Sequence, residues 1–203
     1  MKTLTFDSRE AWLLARKGKI TGTRAKDIIV KRGTSYKKGF YELIAERIAL
    51  PPTEENPMDR GTRLESEAIE RFVKETGKKV NTDLVIWTRD DNESIAFSPD
   101  GYIGKKSAKE AVECKCLSSA SHIEAFLTKE VPDEYKDQTI QAFVVNDKLQ
   151  TLYVVFYDPR VPCKDFFTIR IDREAVKEKV AEYLAYEQMI LSEVTKIVTE
   201  LTF

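Results

Sequence analysis

Asp100 sits in Ser98-Pro99-Asp100-Gly101, and thirteen residues later comes Glu113-Cys114-Lys115. This Pro-Asp … Glu-x-Lys series constrains the fold because its three charged side chains can meet at one point. Residues 109–116 read as a β-strand from Ala111 onward. Alternate strand residues share a face, so Glu113 and Lys115 point one way, while Cys114 and Cys116 point the other. Asp100-Gly101 reads as a turn or strand end that can bring Asp100 alongside. In a chain that is 33% charged, a lone Glu-x-Lys is ordinarily a solvated edge, so the reading depends on what accompanies it.

With 203 residues, 42% hydrophobic and 10% aromatic, the chain suits one domain, 1–203, with a true core rather than a disordered polymer. Net charge is −1, yet residues 16–38 carry nine Lys/Arg (Arg16, Lys17, Lys19, Arg24, Lys26, Lys31, Arg32, Lys37, Lys38) against one acid, Asp27. A basic segment on an otherwise acidic body suits a protein that grips a polyanion at one place; the plain alternative is a solvated loop and helix face. The three cysteines, 114, 116 and 163, are odd in number, which favours reduced thiols and a cytoplasmic setting. With His122 alone they leave little for a zinc or iron–sulfur site. No stretch has transmembrane length, and no signal-peptide pattern opens the chain.

The order of elements predicts helices before strands. Asp7 with Glu10 starts a first helix that stops near Gly18. Thr21-Gly22-Thr23 caps a second, roughly to Val30. A basic loop, 31–39, leads to a helix from Phe40 to Ala49, ended by Pro51-Pro52, and an acidic loop follows. A fourth helix runs from Gly61 to about Thr76, with Gly77 as its stop. Strands are expected at Val80–Thr88, Ser94–Ser98, Tyr102–Ile103, Ala111–Leu117, Leu149–Tyr157 and Phe166–Ile171. Helices fall at 119–129 and from Asp133 to about Val145. A long amphipathic helix, Arg173 to about Leu201, should pack on the sheet. Together these give an α/β fold, a central mixed sheet flanked by helices.

Glu65 shares a helix face with Ala68, Ile69, Phe72 and Thr76. A carboxylate on an apolar stripe must be paired, neutralised or bound to metal. An ion pair would suffice, but with Asp100 and Glu113 it makes a cluster of hard oxygens suited to Mg²⁺ or Mn²⁺. The helix start at Thr21-Gly22-Thr23, with Arg16 and Lys19 upstream, can take an anion; simple capping is the plain alternative. Gln138 and Gln141 lie three apart on one helix and can both face such a site.

The motifs occur in a fixed order: Trp12-x-x-x-Arg16-x-Gly18-x-Ile20-Thr21-Gly22-Thr23, Gly61-x-x-x-Glu65, Ser98-Pro99-Asp100-Gly101, Glu113-Cys114-Lys115, Tyr135-x-x-Gln138 with Gln141, and Tyr157-Asp158-Pro159-Arg160. Across roughly residues 8–172 this series resembles the phage lambda exonuclease family, the viral alkaline exonucleases with a PD-(D/E)xK, restriction-endonuclease-like core. The resemblance implies a Mg²⁺-dependent 5′→3′ exonuclease on double-stranded DNA ends that releases mononucleotides and leaves a 3′ overhang. By position, Asp100 and Glu113 would be metal ligands with the Cys114 carbonyl, Lys115 would act on the attacking water, and Glu65 would complete the site. Arg16, Thr23 and Ser98 would hold the 5′-phosphate. Alignment back from Tyr157-Asp158-Pro159-Arg160 selects Gln141 as the site glutamine; alignment from Tyr135 selects Gln138. Met58 matches an apolar wedge at the duplex end, and Arg32 lies near a DNA-contacting arginine. The family further implies a homotrimeric ring, a single-strand annealing protein as partner, no membrane, and a phage- or prophage-encoded protein in a bacterial host. The competing readings are a related PD-(D/E)xK endonuclease and a non-catalytic DNA-end-binding recombination adaptor.

Overall fold

The computed structural model describes residues 1–28, 43, 59–106, 108–117, 119–159, 161–162 and 164–202. The expected loop at 31–39, most of the helix at 40–49 and the loop before residue 59 lie outside them. Leu43 is described, as a helical and fully buried residue.

The chain begins with a strand that sequence reasoning missed, β1 (Lys2–Thr5). Helix α1 (Arg9–Ala15) starts one residue later than Asp7 suggested. Ser8 is its cap, in extended conformation, with its hydroxyl accepting from the Ala11 N–H at 3.2 Å. Gly18, at φ 67°, provides the left-handed turn after it. Helix α2 (Gly22–Ile28) follows. Helix α3 (Asp59–Thr76) starts slightly before Gly61 and ends as expected at Gly77, whose φ is 68°.

The run expected as one strand from Val80 to Thr88 is two. β2 (Val80–Asn81) and β3 (Val85–Thr88) belong to different sheets, because the chain leaves one sheet and enters the other across Thr82-Asp83-Leu84. The Tyr102 hydroxyl donates to Asp83 Oδ2, and the Phe6 N–H donates to the Leu84 carbonyl, which holds the crossing in place. β4 (Ala96–Phe97) pairs antiparallel with β3, completing a small sheet of order β1-β3-β4. β5 (Gly101–Ile103), β6 (Glu110–Lys115), β7 (Thr151–Tyr157) and β8 (Phe166–Asp172) join β2 in a five-stranded sheet of order β2-β5-β6-β7-β8. Within this sheet the β6–β7 pair is parallel and the other described pairs are antiparallel. The crossover between them carries α4 (Ser119–Thr128) and α5 (Asp133–Val145), as a parallel pair requires. The central sheet is therefore mixed and flanked by helices, as expected.

Alternation along β6 divides the core. Val112 and Cys114 face α3 and pack with Ala68, Ile69, Phe72 and Val155. Ala111 faces the other way, into the larger cluster under α5. Burying one side chain such as Phe72 stabilises the fold by about 1.5–3 kcal/mol. The last helix, α6 (Arg173–Thr202), packs on α5 as well as on β8. Arg173 donates to the carbonyls of Phe143, Asn146 and Leu149, tying the start of α6 to the end of α5. Among the described residues, no helix is long and apolar enough to cross a membrane.

Candidate active site

The site lies where β5 and β6 run side by side. Gly101 stands opposite Val112, so Asp100, one residue before β5, reaches the neighbourhood of Glu113. Its Oδ2 accepts from the Cys114 N–H at 2.6 Å. Glycine at 101 is a steric demand, because a Cβ there would lie 2.5 Å from Val80 Cγ1 and 3.3 Å from Ile69 Cδ1. The Asp-Gly pair is thus a crowded strand start, where a side chain at 101 would press on Val80 and Ile69.

Glu113 is 2% exposed and Lys115 9% exposed, on the face of β6 turned toward α5. Lys115 Nζ donates to Glu113 Oε1 at 2.7 Å. Gln138 Nε2, from α5, donates to the same oxygen through a short contact. Glu113 Oε2 is buried with no partner. Burial pushes the Glu113 carboxyl up to about 8, reinforced by Asp100 and opposed by Lys115. Glu65, half-buried on α3, is pushed up to about 7, first by burial and then by Asp100. Burial also raises Asp100, against the pull of Lys115 and the Cys114 N–H. Asp100 thus raises both glutamates and Glu65 adds to the rise of Glu113, with Lys115 opposing at all three. Burial of like charges without a counter-ion is unfavourable, and an orphaned buried carboxylate oxygen is a vacant acceptor. This donor set, all hard oxygen, fits Mg²⁺ or Mn²⁺. Among the described residues, no three or more His, Cys, Asp or Glu side chains stand grouped as metal ligands.

The expected phosphate-binding residues gather beside this cluster. Arg16 caps the end of α1, its guanidinium 4.5 Å from the ring centre of Trp12, and donates to Thr23 Oγ1 at 3.3 Å. Its pKa is lowered by burial and supported by the nearby Glu113 and Asp100. Thr23 Oγ1 in turn lies 3.3 Å from Thr21 Oγ1. Ser98 Oγ, two residues before Asp100, is buried without a partner. Trp12 is fixed by its indole N–H on the Val85 carbonyl, and Arg9 covers its ring at 5.5 Å. A cavity of about 600 Å³ opens between α1 and α3, lined among others by Arg9, Trp12, Glu65, Ser66, Asp83 and Asp100.

Packing distinguishes the two glutamines. Gln138 touches Glu113, whereas Gln141 does not enter the site. Gln141 is 0% exposed, and its Nε2 donates to the Ile20 carbonyl and to Glu187 Oε2, both at 3.2 Å. The expectation that Gln141 belongs to the site is therefore corrected: α5 turns that side chain toward α2 and α6. Cys114 keeps its place between Glu113 and Lys115, with its side chain packed under α3. Arg32 and Met58 lie outside the described residues. Sequence reasoning gave no role to Tyr135, whose ring lies 5.0 Å from Lys115 Nζ, or to Arg9 at the cavity. The i, i+3 spacing of Tyr135 and Gln138 was the signal for the first; nothing in the sequence marked the second.

An aspartate at the start of one strand and a Glu-x-Lys on its neighbour, in a mixed sheet flanked by helices, define a nuclease core of the PD-(D/E)xK type. Within that class the chain belongs to the family of the YqaJ-like viral recombinase domain, which it matches over residues 11–148. This agrees with the resemblance to the lambda exonuclease family. Its fold is similar to the crystal structure of an alkaline exonuclease, LHK-Exo, from Laribacter hongkongensis, with TM-score 0.83 and 29% identity over 95% of this chain and 96% of that one. The structure of LHK-Exo in complex with dAMP matches with TM-score 0.78, at 29% identity over 95% and 98% of the two chains. A phage-related exonuclease from Haemophilus somnus 129PT shares the fold at 15% identity, with TM-score 0.60 over 90% and 96%. A comparison with curated proteins finds no match.

Proposed function

We propose that this chain is a Mg²⁺-dependent 5′→3′ exonuclease, with Mn²⁺ as an alternative metal, that degrades one strand of linear double-stranded DNA to mononucleotides. The 3′ overhang left behind would feed recombination by single-strand annealing. The observation that carries this reading is the joining of two half-sites: Asp100, Glu113, Lys115 and Gln138 on one side, Arg16, Thr23 and Ser98 on the other. Family membership and the likeness to LHK-Exo support a nuclease acting on DNA.

Asp100 and Glu113 would hold the metal, with the Cys114 carbonyl and Glu65 completing the site. When bound, the ion would neutralise charge on the scissile phosphate and lower the pKa of water. Lys115 Nζ orients the attacking water and stabilises charge as it develops. Gln138 and Lys115 both donate to Glu113 Oε1 and so fix the carboxylate together. Water adds to phosphorus as it gives up a proton, the bond to the 3′-oxygen breaks and that oxygen leaves as a protonated 3′-hydroxyl, so the phosphate stays on the next nucleotide as its 5′-phosphate. Arg16, Thr23 and Ser98 bind that group, and its negative charge draws the strand forward by one nucleotide. The 600 Å³ cavity beside Asp100 is of ligand size and can receive a nucleotide. Arg32 and Met58 would contact the duplex. A homotrimeric ring around DNA and an annealing-protein partner in a phage-infected bacterial host complete the proposal.

Digestion of a linear duplex bearing 5′-phosphate, 5′-hydroxyl or 3′-labelled ends, with and without Mg²⁺, tests it. Metal-dependent release of mononucleotides from 5′-phosphorylated ends is expected. Internal cuts would favour an endonuclease, and retention without cutting would favour an end-binding adaptor. Arg16→Ala should slow digestion of 5′-phosphorylated ends by about ten- to a hundredfold, the scale of one charge-assisted contact, and affect 5′-hydroxyl ends much less. Equal losses on both ends would reduce Arg16 to a general backbone contact.

A further inference from the structure

We propose that Tyr135 is a positioning residue for Lys115, holding the ammonium against the face of its ring while Gln138 holds the partner carboxylate; this role rests on the nuclease reading above. Lys115 is 9% exposed, and its Nζ hydrogen-bonds Glu113 Oε1 at 2.7 Å. The same Nζ lies 5.0 Å from the centre of the Tyr135 ring. Tyr135 is rigidly placed: it stands in the first turn of α5, where its N–H donates to the Pro132 carbonyl at 2.9 Å, and its ring packs against the larger core cluster. Gln138, one turn further along, reaches Glu113 Oε1. One face of α5 thus braces both members of the Glu113–Lys115 pair.

The choice of an aromatic ring has a physical reason. An ammonium on a flexible four-carbon stem has three N–H donors, and here Glu113 takes one. Left to itself, the head group can also swing onto Asp100, whose charge it feels. A further carboxylate would restrain it, but would add negative charge to a cluster that already holds three acids. The negative face of a ring attracts the cation, accepts no proton and offers a metal no ligand. Lys115 is thereby steered on one side without a further acceptor, and donors not used by Glu113 stay available for water.

Plain packing predicts that ring shape alone matters; the proposal predicts that ring electrostatics matters. Tyr135→Phe should keep most of the turnover. Tyr135→Leu should lower kcat by about tenfold, with KM for DNA ends moving less than about twofold, the scale of a desolvated cation–π contact. The decisive series replaces Tyr135 with phenylalanine and then mono-, di- and trifluorophenylalanine, which weakens the ring face at nearly constant shape. A stepwise fall in kcat along the series is expected, and a flat series in an active enzyme overturns the role. An upfield ring-current shift of the Lys115 ε-methylene protons, lost in Tyr135→Leu, reports the contact apart from turnover, and its absence in the wild type also overturns the proposal. If the wild type cuts no DNA end, the nuclease reading fails and this role with it; an active wild type with a flat series removes this role alone.

Discussion

Helix α5 serves two buried glutamates with two glutamines. Toward β6, Gln138 meets Glu113; toward α6, Gln141 meets Glu187. Both carboxyls are nearly inaccessible, and burial is the leading reason that both are pushed up to about 8. Their surroundings differ. Glu113 stands among Asp100, Glu65 and Lys115, whereas at Glu187 the other influences are the Gln141 hydrogen bond and the distant charge of Arg89. A buried acid with one neutral partner keeps its proton and acts as a polar strut. Buried acids that act on one another, with a lysine in reach, mark a candidate functional site. Burial alone therefore does not mark function; company does.

This contrast can be broken by substitution. Asp100→Ala should have the largest effect, lowering turnover by about a thousandfold or more, the scale of lost electrostatic stabilisation at a reacting phosphate, while circular dichroism and melting remain close to wild type. Retained turnover would place the metal site elsewhere. Lys115→Ala should cost roughly a hundredfold or more in rate with end binding largely kept; a parallel loss of binding would make Lys115 a mere phosphate contact. The two glutamines separate next. Gln138→Ala should reduce kcat by about tenfold with little change in stability. Gln141→Ala should cost about 1–3 kcal/mol in denaturant unfolding, because it strips partners from the buried Glu187 and the Ile20 carbonyl. The reverse pattern would exchange their roles.

The smallest effect on activity is expected at Glu187. A carboxyl whose pKa is raised by folding holds its proton longer in the fold than in the unfolded chain. Its contribution is thus fully present below about pH 4.5 and is lost as pH rises toward 8, by at most about 1.4 kcal/mol per pH unit. Glu187→Gln should flatten stability across that window and leave turnover within about twofold. An unchanged slope in urea titrations at pH 5, 6, 7 and 8 would show that Glu187 is already ionised in the fold.

Sequence patterning conveyed the β6 face because strand alternation is strict: Glu113 and Lys115 had to share a side, and Cys114 had to oppose them. It also located Gly77 as the end of α3. It missed β1, four residues with no apolar alternation of their own, which become a strand only because β3 offers an edge. It fused β2 with β3 because the pause between them is three ordinary residues. Two side chains three apart on a helix diverge by only about 60°, so local spacing could not choose between Gln138 and Gln141. That choice is made by how α5 wedges between β6 and α6, a tertiary matter.

The parallel pairing of β6 with β7 also has a kinetic consequence. Asp100 and Glu113 meet through a short antiparallel connection, but Gln138 arrives only with α5, late in the crossover, and β7 closes the sheet behind it. Pairings between sequence-distant strands form slowly, since loop entropy is spent before the contact repays it. The acidic hairpin on its own concentrates repulsion rather than relieving it. During synthesis, therefore, the acids should come together early as an unstable fragment, and cutting competence should be among the last properties the folding chain acquires.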